Sequence, residues 1–313
     1  MANDYDRHLA ALHGRFEISD ALIAEAARGV TPSPIAARTR IVHGEANEVY
    51  ALAFESGLEV IVRIARQVEG VFDKERWALE RCLALGMAVP RVLSIQRLAD
   101  GRQALEVCIL EKLAGQRLSD SLDLPPRSLR AVVRQVGAQL SLMHSITEAD
   151  LGDGGRFFEG DTDDFLATEG EFTELAGRAG LDGGALGRAF RFVEATLATP
   201  LPRTLTHNDI RACHVMVHEG RLSGLIDFGQ VSIDSPINEF GKWDYWEAPQ
   251  LPAAWLMEGY GDKTLFAEGY AARFAAFRIA NALWALRWYA LTGYTAGVER
   301  ARDRLVQYFA ELG

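Results

Sequence analysis

Little in this sequence supports a covalently stapled, exported or membrane-embedded chain. Cysteine is scarce: Cys82, Cys108 and Cys213 are odd in number, far apart and without CxxC spacing. Neither a disulfide framework nor a zinc site is indicated, and reduced core thiols are expected. Positive charge is in deficit, with a formal net charge of −10 at pH 7. A nucleic-acid partner is therefore not expected, because a duplex-binding surface needs a basic stripe against the phosphates. No basic segment leading into an apolar one follows Met1; "ANDYDRHLAALHG" is polar and acidic, so secretion has no support and a cytoplasmic location is expected. The most apolar late stretch, residues 274–294, is interrupted by Arg278 and Arg287, which a membrane-spanning helix tolerates poorly. It reads as a buried helix of a large core, with no membrane partner. Internal repeats and low-complexity segments are also missing.

What is present is an ordinary globular composition, 49% hydrophobic and 24% charged, over 313 residues, long for one core and comfortable for two lobes. Residues 4–29 carry Leu9, Leu12, Phe16, Leu22, Ile23 and Ala26 at helix-like spacing, closed by Gly29 and "TPSP". From about 37 to 66 the apolar period shortens to 2, with turns at "HGEA" and "ESG", which predicts a three-stranded meander. A helix over 72–87 and two strands around the Asp100-Gly101 turn complete a small antiparallel sheet with one inserted helix. Beyond it, Leu129, Val132, Val133, Val136, Leu140 and Met143 line one face of a long helix, and most of the remainder is helical. We therefore expect an α+β fold: a helical segment and small sheet lobe over residues 1–113, then a larger, mainly helical lobe over 114–313.

The exception within the helical half is "LTHNDIRACHVMVHEGRLSGLIDFGQ", residues 205–230, which holds two aspartates at the edges of short apolar runs around a turn at Glu219-Gly220. Phosphoryl transfer needs little covalent help from a protein. It needs oxygens that hold divalent metal against nucleotide phosphates, and an acceptor hydroxyl held in line. Two carboxylates on loops joined by one hairpin meet that need, so Asp209 and Asp227 read as parts of one site.

The order of elements, the HxD frame at His207 and Asp209, and the DFG at Asp227 resemble the aminoglycoside phosphotransferase family, small-molecule kinases of the protein-kinase-like fold. The resemblance spans roughly residues 37–245 and is sharp only over 205–240. It implies that Asp209 orients the acceptor hydroxyl and takes its proton, and that Asp227 holds metal. Arg211, two residues on, falls where a cation would stabilise the γ-phosphate; the plainer reading is an arginine paired with a nearby acid. At the position of the family's second metal ligand, an asparagine, this chain has His214, which offers one neutral nitrogen to a metal such as Mn²⁺ or a hydrogen bond to Asp209.

In the small lobe the resemblance matches Arg63 to the cation that touches the α- and β-phosphates and Glu75 to its partner. Asn47 matches the phosphate-loop pattern, where Gly44 is the single suggestive glycine. The backbone of Glu111 and Leu113 would bind the purine. His207 and His144 read as structural, and Pro236 and Glu239 match the segment after the metal aspartate. Asp244, Glu247, Glu258 and Asp262, interleaved with Trp243, Tyr245, Trp246 and Trp255, are candidates for an acceptor site, or else solvated acids and core aromatics.

The expected protein is thus a monomeric or homodimeric kinase. It would use ATP or GTP with Mg²⁺, or Mn²⁺, to phosphorylate a hydroxyl of a small molecule, foremost an aminoglycoside or other sugar-containing antibiotic. A metabolic small-molecule kinase and a nucleotide-binding pseudokinase are the alternatives.

Overall fold

The computed structural model describes residues 4–14, 18–42, 47–65, 70–100, 103–158, 169–199 and 201–312. The chain divides into two compact units, one of residues 1–115 with 223–229, the other of 116–222 with 230–313.

The first unit opens with two helices, α1 (Asp4–His13) and α2 (Asp20–Arg28), where the hydrophobic spacing alone predicts one continuous helical segment. The start of α2 is local chemistry: the Ser19 side chain accepts from Leu22 N–H at 3.2 Å, satisfying an otherwise orphaned donor of the first turn. Five strands follow: β1 (Ile35–Ile41), β2 (Asn47–Phe54), β3 (Glu59–Ala65), β4 (Val92–Asp100) and β5 (Gln103–Glu111). They form one antiparallel sheet in the order β1-β2-β3-β5-β4. The predicted meander is there. In β2 burial alternates residue by residue, with Tyr50, Leu52 and Phe54 inward, joining Val60, Val62 and Ile64 of β3 and Leu105, Val107 and Ile109 of β5 beneath α2. Burying each such side chain contributes about 1.5–3 kcal/mol.

Helix α3 (Val71–Ala84) is inserted between β3 and β4 and buries Phe72, Glu75, Ala78, Leu79 and Cys82. Its first turn is capped from a distance, since the Glu106 carboxylate of β5 accepts from the N–H groups of Gly70 (3.2 Å) and Phe72 (3.3 Å). The segment 223–229 belongs to this unit through specific bonds. Ser223 Oγ donates to the Ala114 carbonyl at 2.6 Å, and Leu225 N–H donates to that of Ala88 at 2.8 Å. A Cβ on Gly224 would stand 2.8 Å from the Ala88 oxygen, so this close approach requires glycine.

The second unit begins with the short strand β6 (Gln116–Arg117) and then α4 (Pro126–Met143), with Pro126 in its first turn, where a missing N–H costs nothing. The buried face of α4 is the one its spacing predicts, Leu129 to Met143. Helices α5 (Glu169–Arg178) and α6 (Gly183–Leu197) lead to β7 (Thr204–Thr206), the loop of interest, and β8 (Val215–His218), which pairs with β6. Strand β9 (Arg221–Leu225) is where the chain passes into the first unit. On its return comes β10 (Ser232–Asp234), a strand the spacing does not announce, antiparallel to β7 with Ile233 opposite Leu205. Helices α7 (Pro236–Glu247), α8 (Ala253–Gly259), α9 (Tyr270–Thr292) and α10 (Thr295–Leu312) complete the unit.

The apolar stretch around Arg278 and Arg287 lies in α9, and both arginines are ion-paired, Arg278 to Asp244 and Glu311, Arg287 to Glu171. No helix among the described residues is long and apolar enough to cross a membrane. Cys82, Cys108 and Cys213 are all free thiols.

Candidate active site

In β3 the even-numbered Val60, Val62 and Ile64 face the core under α2, so strand alternation turns Arg63 to the opposite face, where α3 presents Glu75. One Arg63 nitrogen, Nη1, donates to Glu75 and the other, Nη2, donates to Asp227 at 2.9 Å. Its Cζ stands 5.6 Å from the Phe72 ring. Glu75 is 2% exposed and Arg63 8%. Burial alone would make Arg63 easier to deprotonate, but the attraction of Glu75 and Asp227 outweighs it and the net direction is upward. Neither side chain faces solvent. Asp227 itself has φ 67, a left-handed conformation that costs a non-glycine residue about 1–2 kcal/mol.

In the second unit the loop after β7 is anchored by a strand whose three residues are all buried. His207 is fully buried and its Nδ1 faces the Asp209 N–H at 3.4 Å, the structural role expected of it. Asn208 follows with φ 62. The Asp209 carboxylate meets Arg211, whose Nη2 donates to Oδ2 at 3.1 Å with Nε 3.1 Å from Oδ1, and the guanidinium lies 4.7 Å over the Trp246 ring. His214 donates from Nδ1 to the Asp209 backbone carbonyl at 2.7 Å and stands 3.6 Å from Oδ2. Its ring stacks on His207, centroids 6.1 Å apart.

Helix α7 holds this loop. The Glu239 carboxylate, 1% exposed, accepts from the N–H groups of His207 (3.1 Å) and Asn208 (2.6 Å), and Glu247 accepts from Ala212 N–H at 2.8 Å. His144 stands behind Glu239 with Nε2 3.6 Å away and Nδ1 3.0 Å from the Tyr260 hydroxyl. Burial pushes the Glu239 carboxyl upward, but the His144 imidazole, His207 and the Asn208 N–H oppose it, and the net direction is below the ordinary value of 4.5. A carboxylate so depressed stabilises the fold fully above its unfolded pKa and loses that contribution as pH falls through its folded one. Glu239→Gln is therefore expected to cost about 1–3 kcal/mol at pH 7, because one amide would present a donor where N–H groups need acceptors. The difference from the wild type should shrink in urea titrations below pH 4.5; a gap independent of pH would exclude an ionised Glu239.

The sequence profile of the phosphotransferase enzyme family, APH, matches residues 37–285. The chain belongs to that family. No curated protein sequence matches it, whereas solved structures share its fold over nearly its whole length. The GDP complex of wild-type aminoglycoside 2′-phosphotransferase-IIIa is 14% identical with a TM-score of 0.70, covering 94% of this chain and 98% of that one. A thermostable mutant of aminoglycoside phosphotransferase APH(4)-Ia, in ternary complex with ADP and hygromycin B, is 17% identical with a TM-score of 0.67, covering 93% and 98%. The expected α+β, protein-kinase-like fold is the one this phosphotransferase adopts.

The structure thus gathers the candidate residues as two groups, Arg63, Glu75 and Asp227 in the first unit and Asp209, Arg211 and His214 in the second. Asn47 opens β2 opposite Ala65, and Gly44 lies outside the described residues. Glu111 ends β5, donating its N–H to the Arg91 carbonyl at 2.9 Å, and Leu113 follows, partly buried.

The acids proposed for an acceptor site are engaged elsewhere. Asp244 pairs with Arg278 at 2.7 Å, Glu258 with Arg130 at 2.6 Å, Asp262 caps Thr264 at 2.9 Å, and Glu247 binds the loop backbone. Trp243 is wholly buried, its Nε1 donating to the Leu251 carbonyl at 2.7 Å. Asp244 and Glu247 are thus bound within the fold and not solvated, while Trp246 and Trp255 are half-buried.

The phosphotransferase fold implies a divalent metal. Asp227 suits it, with hard oxygens on a side chain 42% exposed although one oxygen meets Arg63. His214 suits it less, because its Nδ1–H is committed to the Asp209 carbonyl and the neutral ring then offers the softer Nε2. Among the described residues no three His, Cys, Asp or Glu side chains cluster to cage a metal, a condition compatible with Mg²⁺, which keeps water and phosphate ligands.

Sequence reasoning missed Lys242 and the pairing of Trp246 with Arg211. The signal that could have found them is the helical spacing of Glu239, Lys242 and Trp246, which places the three on one side of α7.

Proposed function

We propose that this phosphotransferase moves the γ-phosphate of ATP or GTP to a hydroxyl of a small molecule, foremost a sugar-containing antibiotic such as an aminoglycoside, giving resistance or self-protection. The observation that carries the reading is the Asp209 carboxylate, held on a loop whose backbone α7 grips at His207, Asn208 and Ala212. Structural neighbours complexed with ADP and hygromycin B, or with GDP and kanamycin, support a nucleotide donor and a small aminated-sugar acceptor.

In this mechanism Asp209 hydrogen-bonds the acceptor hydroxyl and takes its proton as the oxygen lone pair attacks the γ-phosphorus; the bond to the bridging oxygen breaks and the nucleoside diphosphate leaves. Arg211 must then leave the Asp209 carboxylate, and the incoming γ-phosphoryl charge is the natural competitor for it. Arg63, kept cationic by Glu75, meets the α- and β-phosphates. Glu111 and Leu113 offer backbone groups to the purine, and Asn47 serves the phosphate loop. Asp227 would hold the metal, whose chemistry is neutralisation of charge on the phosphates.

Engagement of Asp244, Glu247, Glu258 and Asp262 favours a second reading of the acceptor: a metabolite or nucleoside bound by stacking and hydroxyl contacts, without ammonium groups for those acids to pair. His214 keeps a nucleotide-binding pseudokinase as the remaining alternative.

The test is incubation with ATP or GTP, Mg²⁺ or Mn²⁺, and a panel of aminoglycosides, nucleoside antibiotics and hydroxylated metabolites, read by mass spectrometry. A gain of one phosphoryl group is expected and identifies the acceptor class. Nucleotide binding with no product from any acceptor would overturn the kinase reading in favour of the pseudokinase.

A further inference from the structure

Lys242 lies on α7 one turn beyond Glu239, and its ammonium reaches a single residue of the Asp209 loop twice. Nζ donates to the Asn208 carbonyl at 2.6 Å and also to the Asn208 side-chain oxygen. Three positions apart on one helix face, Glu239 and Lys242 therefore grip the same residue from both sides, Glu239 taking its N–H at 2.6 Å and Lys242 its C=O.

The residue so held has a left-handed backbone, Asn208 with φ 62. It immediately precedes Asp209, and the peptide plane between them carries the carbonyl that Lys242 binds. Rotation of that plane would move the Asp209 N–H and carboxylate together. At its other edge the plane meets His207, whose Nδ1 accepts the Asp209 N–H at 3.4 Å. A charge-assisted bond at 2.6 Å is the stronger of the two. Burial opposes the Lys242 ammonium and lowers its pKa; Asp234 at the end of β10, Glu239 on α7 and Asp209 in the loop favour the charge, and Arg211 opposes it. The ammonium is thus half-buried among three acids and one arginine.

We propose that Lys242 is a positioning residue that locks Asn208 in its left-handed conformation and so aims the Asp209 carboxylate at the acceptor hydroxyl. The inference rests on the reading of Asp209 as the base.

Its test is kinetic. Lys242→Met is expected to lower kcat on the order of 100-fold, the scale on which small misplacements act, with donor and acceptor KM changed less than about threefold. Adding Asn208→Gly to that variant is expected to recover about tenfold, because glycine takes positive φ without a steric penalty. A lysine that merely stabilises the fold gives no such rescue. If Lys242→Met is not recovered folded, Lys242→Gln, which keeps one donor, replaces it in the same comparison. A kcat within about twofold of wild type, in an enzyme that Asp209→Asn inactivates, overturns the inference; so does a loss that Asn208→Gly leaves unrelieved. Wild-type turnover by Asp209→Asn would instead overturn the reading of Asp209.

Discussion

Asp209→Asn is expected to lower kcat by about 10²- to 10⁴-fold, the range that a positioned general base contributes. The substitution keeps the volume of the side chain and an oxygen for the Arg211 bond, but removes the basic site that receives the proton. The fold should hardly notice. Asp209 and Arg211 are 27% and 24% exposed at their side chains, and an ion pair of that exposure is worth at most about 1 kcal/mol after solvent screening. His214 binds the backbone carbonyl of Asp209, not its carboxylate alone, so the loop keeps that anchor. The measurement is steady-state phosphotransfer beside nucleotide binding by calorimetry. Unchanged binding with collapsed turnover is the expected pair of results, and a variant retaining more than about a tenth of wild-type kcat would remove Asp209 from the role of base.

The largest effect on stability is expected from Arg63→Met. Glu75 is buried to 2% exposure and Arg63 supplies the charge opposite it. Removing one member of a buried pair leaves the other uncompensated, at a cost of about 3–5 kcal/mol. Replacing both, as Arg63→Met with Glu75→Leu, substitutes apolar packing beside Phe72 and Leu79 and should recover most of that loss. Asp227 would still lose its 2.9 Å partner in both variants, so nucleotide affinity is expected to stay low even where stability returns. Urea denaturation of the wild type, the single variant and the double variant separates the two effects. Equal stability of wild type and Arg63→Met would show that the pair is not held as a buried charge.

The contrast between these residues also marks where sequence reasoning reaches its limit. Arg63 was named through the family resemblance; strand alternation adds only its face, since Val62 and Ile64 are committed to one core. The face of α4 was legible for the same kind of reason, since an amphipathic period is written into consecutive residues. The division of the first helical segment was not, because it depends on Ser19 outcompeting continuation of the helix by accepting one N–H. Strand β10 was missed because three residues are too few to show a period, and what makes them a strand is β7 lying alongside.

The partners of the acids on α7 and α8 were not legible. Nothing local to Asp244 or Glu258 says that Arg278 and Arg130 will meet them, 34 and 128 positions away. Lys242 is the counterpart, under-read because its two bonds go to a residue 34 positions earlier.

By itself the sequence determined the meander of the small sheet and the faces that β2, β3 and α4 bury, since each depends on spacing within a few residues. Only the tertiary structure decided that Asp227 shares Arg63 with Glu75, that Arg211 lies on both Asp209 and Trp246, and that α7 holds Asn208 from both sides. Those arrangements are bonds between residues distant in the chain, and local periodicity carries no record of which distant donor will meet which acceptor once the core has closed.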